Sequence, residues 1–324
     1  MKRVLGRSGI EVSAVGMGCW AIGGPAYRGE TPVGWGDVDD AESVRAIRAA
    51  VDAGITLFDT ADVYGAGHSE RVLGEAVGAD RPNVVIATKF SNVFDEATRQ
   101  ITGSDASPGY IRRACDASLR RLGTDYVDLY QFHNGGYPVE EVDDVIATLE
   151  SLVDAGKIRS YGWSTDDPER VRRFAQGSRC AAAQFQLNVL ADAPAIISTC
   201  EQHTLAGLNR GPLAMGLLSG KYSSETTLPA NDVRGPNAPE WMRYFTQGRP
   251  SPEFMERVNA VREILTSNGR TLAQGALSWI LSRSDITIPI PGFRTVQQVE
   301  QNAATLDNGT LTHEQMARIA ELLG

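Results

Sequence analysis

Eight short apolar runs separated by stretches of helical periodicity predict an α/β chain folded as one (β/α)8 barrel of the TIM type. Three observations carry that expectation. The runs are β-branched or aromatic, as strands buried on both faces are. The segments between them repeat apolar residues at helical spacing. No polar linker divides the chain, so residues 1–324 are expected to form a single domain.

The chain opens with a hairpin pattern, Val4-Leu5 and Ile10 to Val12 around the turn Gly6-Arg7-Ser8-Gly9. A first barrel strand is expected over Ser13 to Met17. The others are expected over Thr56 to Asp59, Val84 to Lys89, Val127 to His133, Ser160 to Trp163, Ala182 to Phe185, Leu205 to Asn209 and Ile286 to Ile290. A helix from Asp40 to Ala53 is marked by Val44, Ile47 and Val51 on one face. Ser107 offers an N-cap and Pro108 a first helical residue for a helix reaching Leu122. Asp143 to Ala155 ends at Gly156, and another helix starts at Asp167-Pro168. Thr271 to Ser282 and Thr295 to Ala304 complete the series. Ile22 to Val38 and Ser219 to Ser251 break the rhythm. Both are rich in Gly and Pro, follow strands, and carry Tyr27, Trp35, Trp241, Tyr244 and Phe245. Long loops covering the C-terminal face of the barrel are expected there.

Composition narrows the function. A 42% hydrophobic and 22% charged balance excludes a disordered chain, a collagen and a disulfide miniprotein. The formal charge of −9 argues against nucleic acid or an anionic membrane as partner. Cys19, Cys115, Cys180 and Cys200 have neither C-x-x-C nor zinc-like spacing, which suggests a reducing compartment and no metal. The scattered His68, His133, His203 and His313 speak against a metal-dependent barrel hydrolase. The start lacks the apolar core of a signal peptide, and no run is long enough for a membrane span. A soluble, cytoplasmic protein is expected. Oligomeric state is not readable.

In a (β/α)8 barrel, reacting residues come from the C-terminal ends of strands. The second strand ends Phe58-Asp59-Thr60-Ala61-Asp62-Val63-Tyr64, the third Thr88-Lys89-Phe90, and the fourth Gln131-Phe132-His133-Asn134. Taken singly, Asp59 or Asp62 is more often a loop cap. Tyr64 is more often a packing residue, and His133 a satisfied strand histidine. Lys89 differs. It is one of only four lysines, and its apolar run would bury the ammonium unless a partner stood beside it. Together the set is coherent: an ammonium lowers the pKa of a tyrosine, a carboxylate keeps that ammonium charged, and a histidine hydrogen-bonds a carbonyl. Such a set suits protonation of a carbonyl oxygen as its carbon receives a hydride.

These residues, with Arg159-Ser160-Tyr161-Gly162-Trp163-Ser164, Pro212 to Lys221 and Ile290-Pro291-Gly292, resemble the bacterial-type aldo-keto reductases along essentially the whole chain. The resemblance implies Tyr64 as general acid, Lys89 and Asp59 as the pair that tunes it, and His133 as carbonyl orienter. It also implies NADP(H) bound on the barrel without a Rossmann domain. Gly16-Met17-Gly18-Cys19-Trp20-Ala21 satisfies the dinucleotide fingerprint formally, but Gly23-Gly24-Pro25 leave no helix N-terminus for a pyrophosphate. By similarity, Ser164, Thr165 and Gln184 would hold the carboxamide. Pro212, Leu213, Gly216, Leu218, Gly220 and Lys221 would wrap the pyrophosphate. Arg294 would grip the 2′-phosphate, which favours NADP(H) over NAD(H), while Gln298 and Asn302 would contact adenine and Gly292 belongs to the same cofactor set.

Two positions depart from the family pattern. Asn209-Arg210-Gly211 stands where a tyrosine often stacks on nicotinamide, and Arg210 offers a planar guanidinium instead. Thr165 replaces a common asparagine. Trp20, Trp35 and Phe90 are expected to line the substrate mouth, with Trp241 and Phe245 closing from the long loop. The partner implied is a small-molecule carbonyl compound. NADPH-dependent reduction of an aldehyde or ketone is the expected activity; the alternative is an NADP(H)-binding regulatory subunit with little turnover.

Overall fold

A computed structural model describes residues 1–324. Lys2–Val4 and Glu11–Ser13 form the N-terminal antiparallel hairpin around a helical turn at Gly6–Ser8. Eight parallel strands follow: β1 (Met17–Gly18), β2 (Leu57–Asp59), β3 (Val85–Phe90), β4 (Val127–Phe132), β5 (Ile158–Ser164), β6 (Cys180–Gln186), β7 (Ala206–Arg210) and β8 (Thr287–Pro289). Each pairs with the next in chain order. The ring closes where Gly18 bridges Gly292, and the Gly18 N–H donates to the Pro291 carbonyl at 2.9 Å. A Cβ on Gly18 would lie 2.8 Å from the Ile290 carbonyl oxygen, so glycine is what lets the first and last strands meet. The fold is therefore the expected (β/α)8 barrel, with one difference at its start. Ser13 belongs to the hairpin, and β1 is only two residues long.

Helices cover the outside at Asp40–Asp52, Pro108–Leu122, Asp143–Asp154, Pro168–Phe174, Leu272–Leu281 and Val296–Ala303, within a residue or so of expectation. Ser107 caps the second of these as expected, and Asp39 caps the first. Asp39 accepts from the Glu42 N–H at 3.1 Å, and Ser107 from that of Tyr110 at 3.3 Å. Further helices at His68–Val77, Pro194–Gln202, Pro252–Leu265 and His313–Leu323 were not expected. A second unexpected feature is a small sheet beside the barrel mouth, where Asn92–Asp95 and Gln100–Ser104 pair with each other and with Tyr27–Arg28 and Thr31–Pro32. No helix is long and apolar enough to cross a membrane.

The barrel interior is layered, because residues two apart on a strand share a face. Leu57, Leu129, Ala182 and Ile288, from the even-numbered strands, are buried together in an apolar layer. Leu5, Ile10 and Val12 of the hairpin belong to the same cluster and plug the bottom. Two residues further along three of those strands the layer turns polar: Asp59, Gln131 and Gln184, all fully or almost fully buried.

Candidate active site

Asp59 is the hub of that polar layer. Its Oδ1 accepts from Lys89 Nζ at 2.5 Å, and its Oδ2 from Gln131 Nε2 at 2.9 Å and Gln184 Nε2 at 2.7 Å. Side chains from β2, β3, β4 and β6 thus converge on one carboxylate. Lys89 Nζ also donates to the Thr60 carbonyl at 2.8 Å and to Tyr64 Oη at 3.1 Å. All three ammonium hydrogens have acceptors, as a fully buried lysine requires. Burial works against the charge of Lys89, but Asp59 and Tyr64 outweigh it and hold the ammonium above its ordinary pKa.

Tyr64 follows β2 on a turn packed against the first covering loop. Gly65 (φ +60°) sits so close to Gly23 that a Cβ would meet its carbonyl oxygen at 1.8 Å. The phenol ring is flanked by Trp20 (6.0 Å, nearly parallel) and by His133 (6.0 Å, edge-on). Burial raises the Tyr64 pKa, and the opposing pull of Lys89 does not reverse it. The net lowering expected from the sequence is not found; the phenol keeps its proton at neutral pH. His133 lies just past β4, and burial, then the charges of Lys89 and Arg210, push its pKa well below the ordinary value. Its ring is neutral at pH 7.

These groups line the floor of a cavity of about 980 Å³ at the C-terminal ends of the strands. Asp59, Tyr64, His133, Ser164, Thr165, Gln184 and Arg210 reach it, as do Pro212, Leu213, Gly216, Lys221, Gly292, Arg294, Gln298 and Asn302. Trp20 and Trp35 form its aromatic wall, at right angles and 5.3 Å apart, and the exposed Trp241 approaches Trp20 to 6.3 Å.

Four expected residues stand elsewhere. Phe90 is fully buried outside the barrel, stacked on Tyr130 and Phe132 at 4.5 and 5.5 Å. Lys89 points inward, so its neighbour on the strand must point outward. Leu218 is buried in the apolar core, and Gly220 turns the chain at φ +82° away from the cavity. Phe245 is buried against Tyr222 and does not close the mouth.

Other contacts refine the expected roles. The amide nitrogen of Gln184 is committed to Asp59 and, at 3.1 Å, to Gln131 Oε1, which leaves its carbonyl oxygen for another partner. Thr165 Oγ1 donates to the Gly135 carbonyl at 3.2 Å and accepts from the Asp167 N–H at 3.2 Å. Arg210 is ion-paired with Asp166. Arg294 donates to the backbone carbonyls of Trp35 and Asp37 in the first covering loop. Sequence reasoning missed Gln131, Asn92 and Arg234. Only Gln131 had a signal, as the polar residue on a strand face otherwise formed by Val127 and Leu129.

The model of the Aldo/keto reductase family matches residues 14–323. The aldo-keto reductase YhdN of Bacillus subtilis (strain 168) is 32% identical, with 98% of this chain and 91% of that protein aligned. Among solved structures, the glycerol dehydrogenase AKR11B4 of Gluconobacter oxydans is similar with a TM-score of 0.80 and 32% identity, covering 97% of this chain and 92% of that one. An aldo/keto reductase of Klebsiella pneumoniae in complex with NADP and acetate has a TM-score of 0.72 and 28% identity, covering 99% and 95%. A barrel with this polar layer, matched to the family from its first strand to its last helix, places the chain in the aldo/keto reductase family of oxidoreductases.

Proposed function

We propose that this protein reduces an aldehyde or ketone to the alcohol with NADPH, and that Tyr64 donates the proton. The observation that carries the reading is the contact chain from Tyr64 Oη to Lys89 Nζ to Asp59 Oδ1 beneath the cavity, at 3.1 and 2.5 Å.

The residues around the cavity fit the cofactor. The turn through Ala214, Met215 and Gly216 (φ 47°, 56° and 93°) closes on itself, with the Ala214 N–H donating to the Gly211 carbonyl at 3.0 Å and the Gly216 N–H to that of Leu213 at 2.8 Å, and it sets Met215 and Gly216 on the cavity wall. Lys221 and Arg294 add cationic groups to the same wall. Asn302 lines the cavity with its Nδ2 buried and unpartnered, a donor awaiting an acceptor such as a ring nitrogen. NADPH would supply the hydride when bound.

The rest of the chemistry belongs to the chain. Tyr64 holds its proton at neutral pH and donates it to the carbonyl oxygen. Lys89, close beside the phenol oxygen, stabilises the phenolate that forms. Asp59 keeps that lysine charged and in place, and Gln131 and Gln184 keep Asp59 fixed. His133, neutral, donates a hydrogen bond to the carbonyl. Trp20, Trp35 and Trp241 exclude water and pack against an apolar or flat substrate.

The test is a panel of aldehydes and ketones with NADPH and, in parallel, NADH, followed by cofactor absorbance. NADPH is expected to be consumed faster than NADH. Tyr64→Phe is expected to lower kcat by about 10²–10⁴-fold with NADPH affinity unchanged. Tight NADPH binding with no turnover on any carbonyl would instead favour the regulatory role.

A further inference from the structure

A neutral imidazole has one N–H donor and one bare nitrogen, and only the protonated nitrogen can bond a carbonyl oxygen. Proximity to substrate is therefore not enough for His133; the proton must sit on the correct nitrogen. Nδ1 of His133 lies 3.5 Å from Nδ2 of Asn92. No other protein group hydrogen-bonds the ring side chain.

Several features hold Asn92 in that place. The chain leaves β3 through Ser91, which takes a φ of +112°, a strained conformation for a residue with a Cβ. The Ser91 hydroxyl is buried without a partner, so neither its side chain nor its backbone is locally favourable. What the bend achieves is to turn the next residue toward the cavity. The backbone of Asn92 is then anchored from two sides. It pairs with Ser104 across the hairpin, and its carbonyl accepts from Tyr110 Oη at 2.5 Å. Asn92 itself lines the cavity beside His133.

We propose that Asn92 is a positioning residue that selects the His133 tautomer: its amide N–H donates to Nδ1, the proton resides on Nε2, and Nε2 is the donor offered to the substrate carbonyl. The substrate clause rests on the reductase reading above; the tautomer does not. The neutrality of the ring is what makes the device necessary, since an imidazolium would donate from both nitrogens. The opposite end of the amide, its oxygen, would draw the proton to Nδ1 and turn a bare nitrogen toward the carbonyl lone pairs.

Nitrogen-15 spectra of histidine-labelled protein at pH 7, assigned with His133→Gln, read the tautomer directly. An unprotonated Nδ1 and a protonated Nε2 are expected. Asn92→Asp, which offers only acceptors, is expected to move the proton to Nδ1 and to lower kcat by about 10²-fold with NADPH affinity within twofold. Asn92→Ala is expected to leave a mixture of tautomers and a smaller loss. A protonated Nδ1 or a charged ring in the unaltered protein overturns the proposal, as does an identical tautomer in all three proteins. Because the spectrum needs no turnover, an Nε2–H ring in a protein inactive on every carbonyl would count against the reductase reading alone.

Discussion

At the scale of single residues, Lys89 is where burial and chemistry meet. Nothing of its side chain is exposed, and its charge persists because Asp59 lies 2.5 Å away. The pair is as much a folding constraint as a functional one. Lys89→Met strands a buried carboxylate, and is expected to cost about 3–5 kcal/mol of stability in urea unfolding along with the activity. Adding Asp59→Asn should recover most of that stability and none of the turnover; recovery of turnover would show that the pair does not serve the reaction. Lys89 was legible in the sequence because a lysine in Val-Val-Ile-Ala-Thr-Lys demands an explanation. Phe90 was misread as part of the substrate mouth, although strand alternation sends it outward once Lys89 faces in. Asn92 was not legible, because its place depends on one strained dihedral at Ser91.

At the scale of elements, the two long loops are recognisable in sequence from their Gly and Pro content, but how they meet is not. Arg234, from the second loop, is buried and bonded to Asp232 (2.7 and 2.8 Å), the Met215 carbonyl (3.0 Å) and Tyr222 Oη (2.6 Å). Its guanidinium lies 4.4 Å over the ring of Trp35, in the first loop, and the Val233 N–H donates to the Gly34 carbonyl at 3.1 Å. One side chain therefore clips both loops to the turn at residues 213–219, across the cavity. Arg234→Leu is expected to speed NADPH release and weaken binding roughly tenfold, equivalent to losing about one such hydrogen bond. Stopped-flow fluorescence reads this, and an unchanged release rate would show that the clip does not bear on the cavity. The unexpected helices have a similar origin. His68–Val77 follows Gly65-Ala66-Gly67 and contains Gly74, so local composition hides a helix that packing sustains.

At the scale of the whole molecule, the barrel has an apolar end closed by the hairpin and a polar end that carries the cavity. The hairpin residues Leu5, Ile10 and Val12 seal the bottom, and the layer above them is apolar. The polar layer and the cavity lie at the opposite mouth. Leu5→Ala is therefore expected to lower unfolding stability by about 2–5 kcal/mol while leaving kcat within twofold. A large change in kcat would mean that the two ends are coupled through the core.

By itself the sequence determined the order of eight strands, the barrel, and the gathering of Asp59, Tyr64, Lys89 and His133 at three consecutive strand ends. Those follow from hydrophobic periodicity and from the cost of burying a charge, both of which are local properties of the chain. Tertiary structure decided the rest: the convergence of Gln131 and Gln184 on Asp59, the closeness of Asn92 to His133, and the Arg234 clip between loops. Each joins residues far apart in sequence through contacts that exist only once the barrel has closed. The protonation of Tyr64 belongs with them, since the depth of burial around a phenol is set by its neighbours in space.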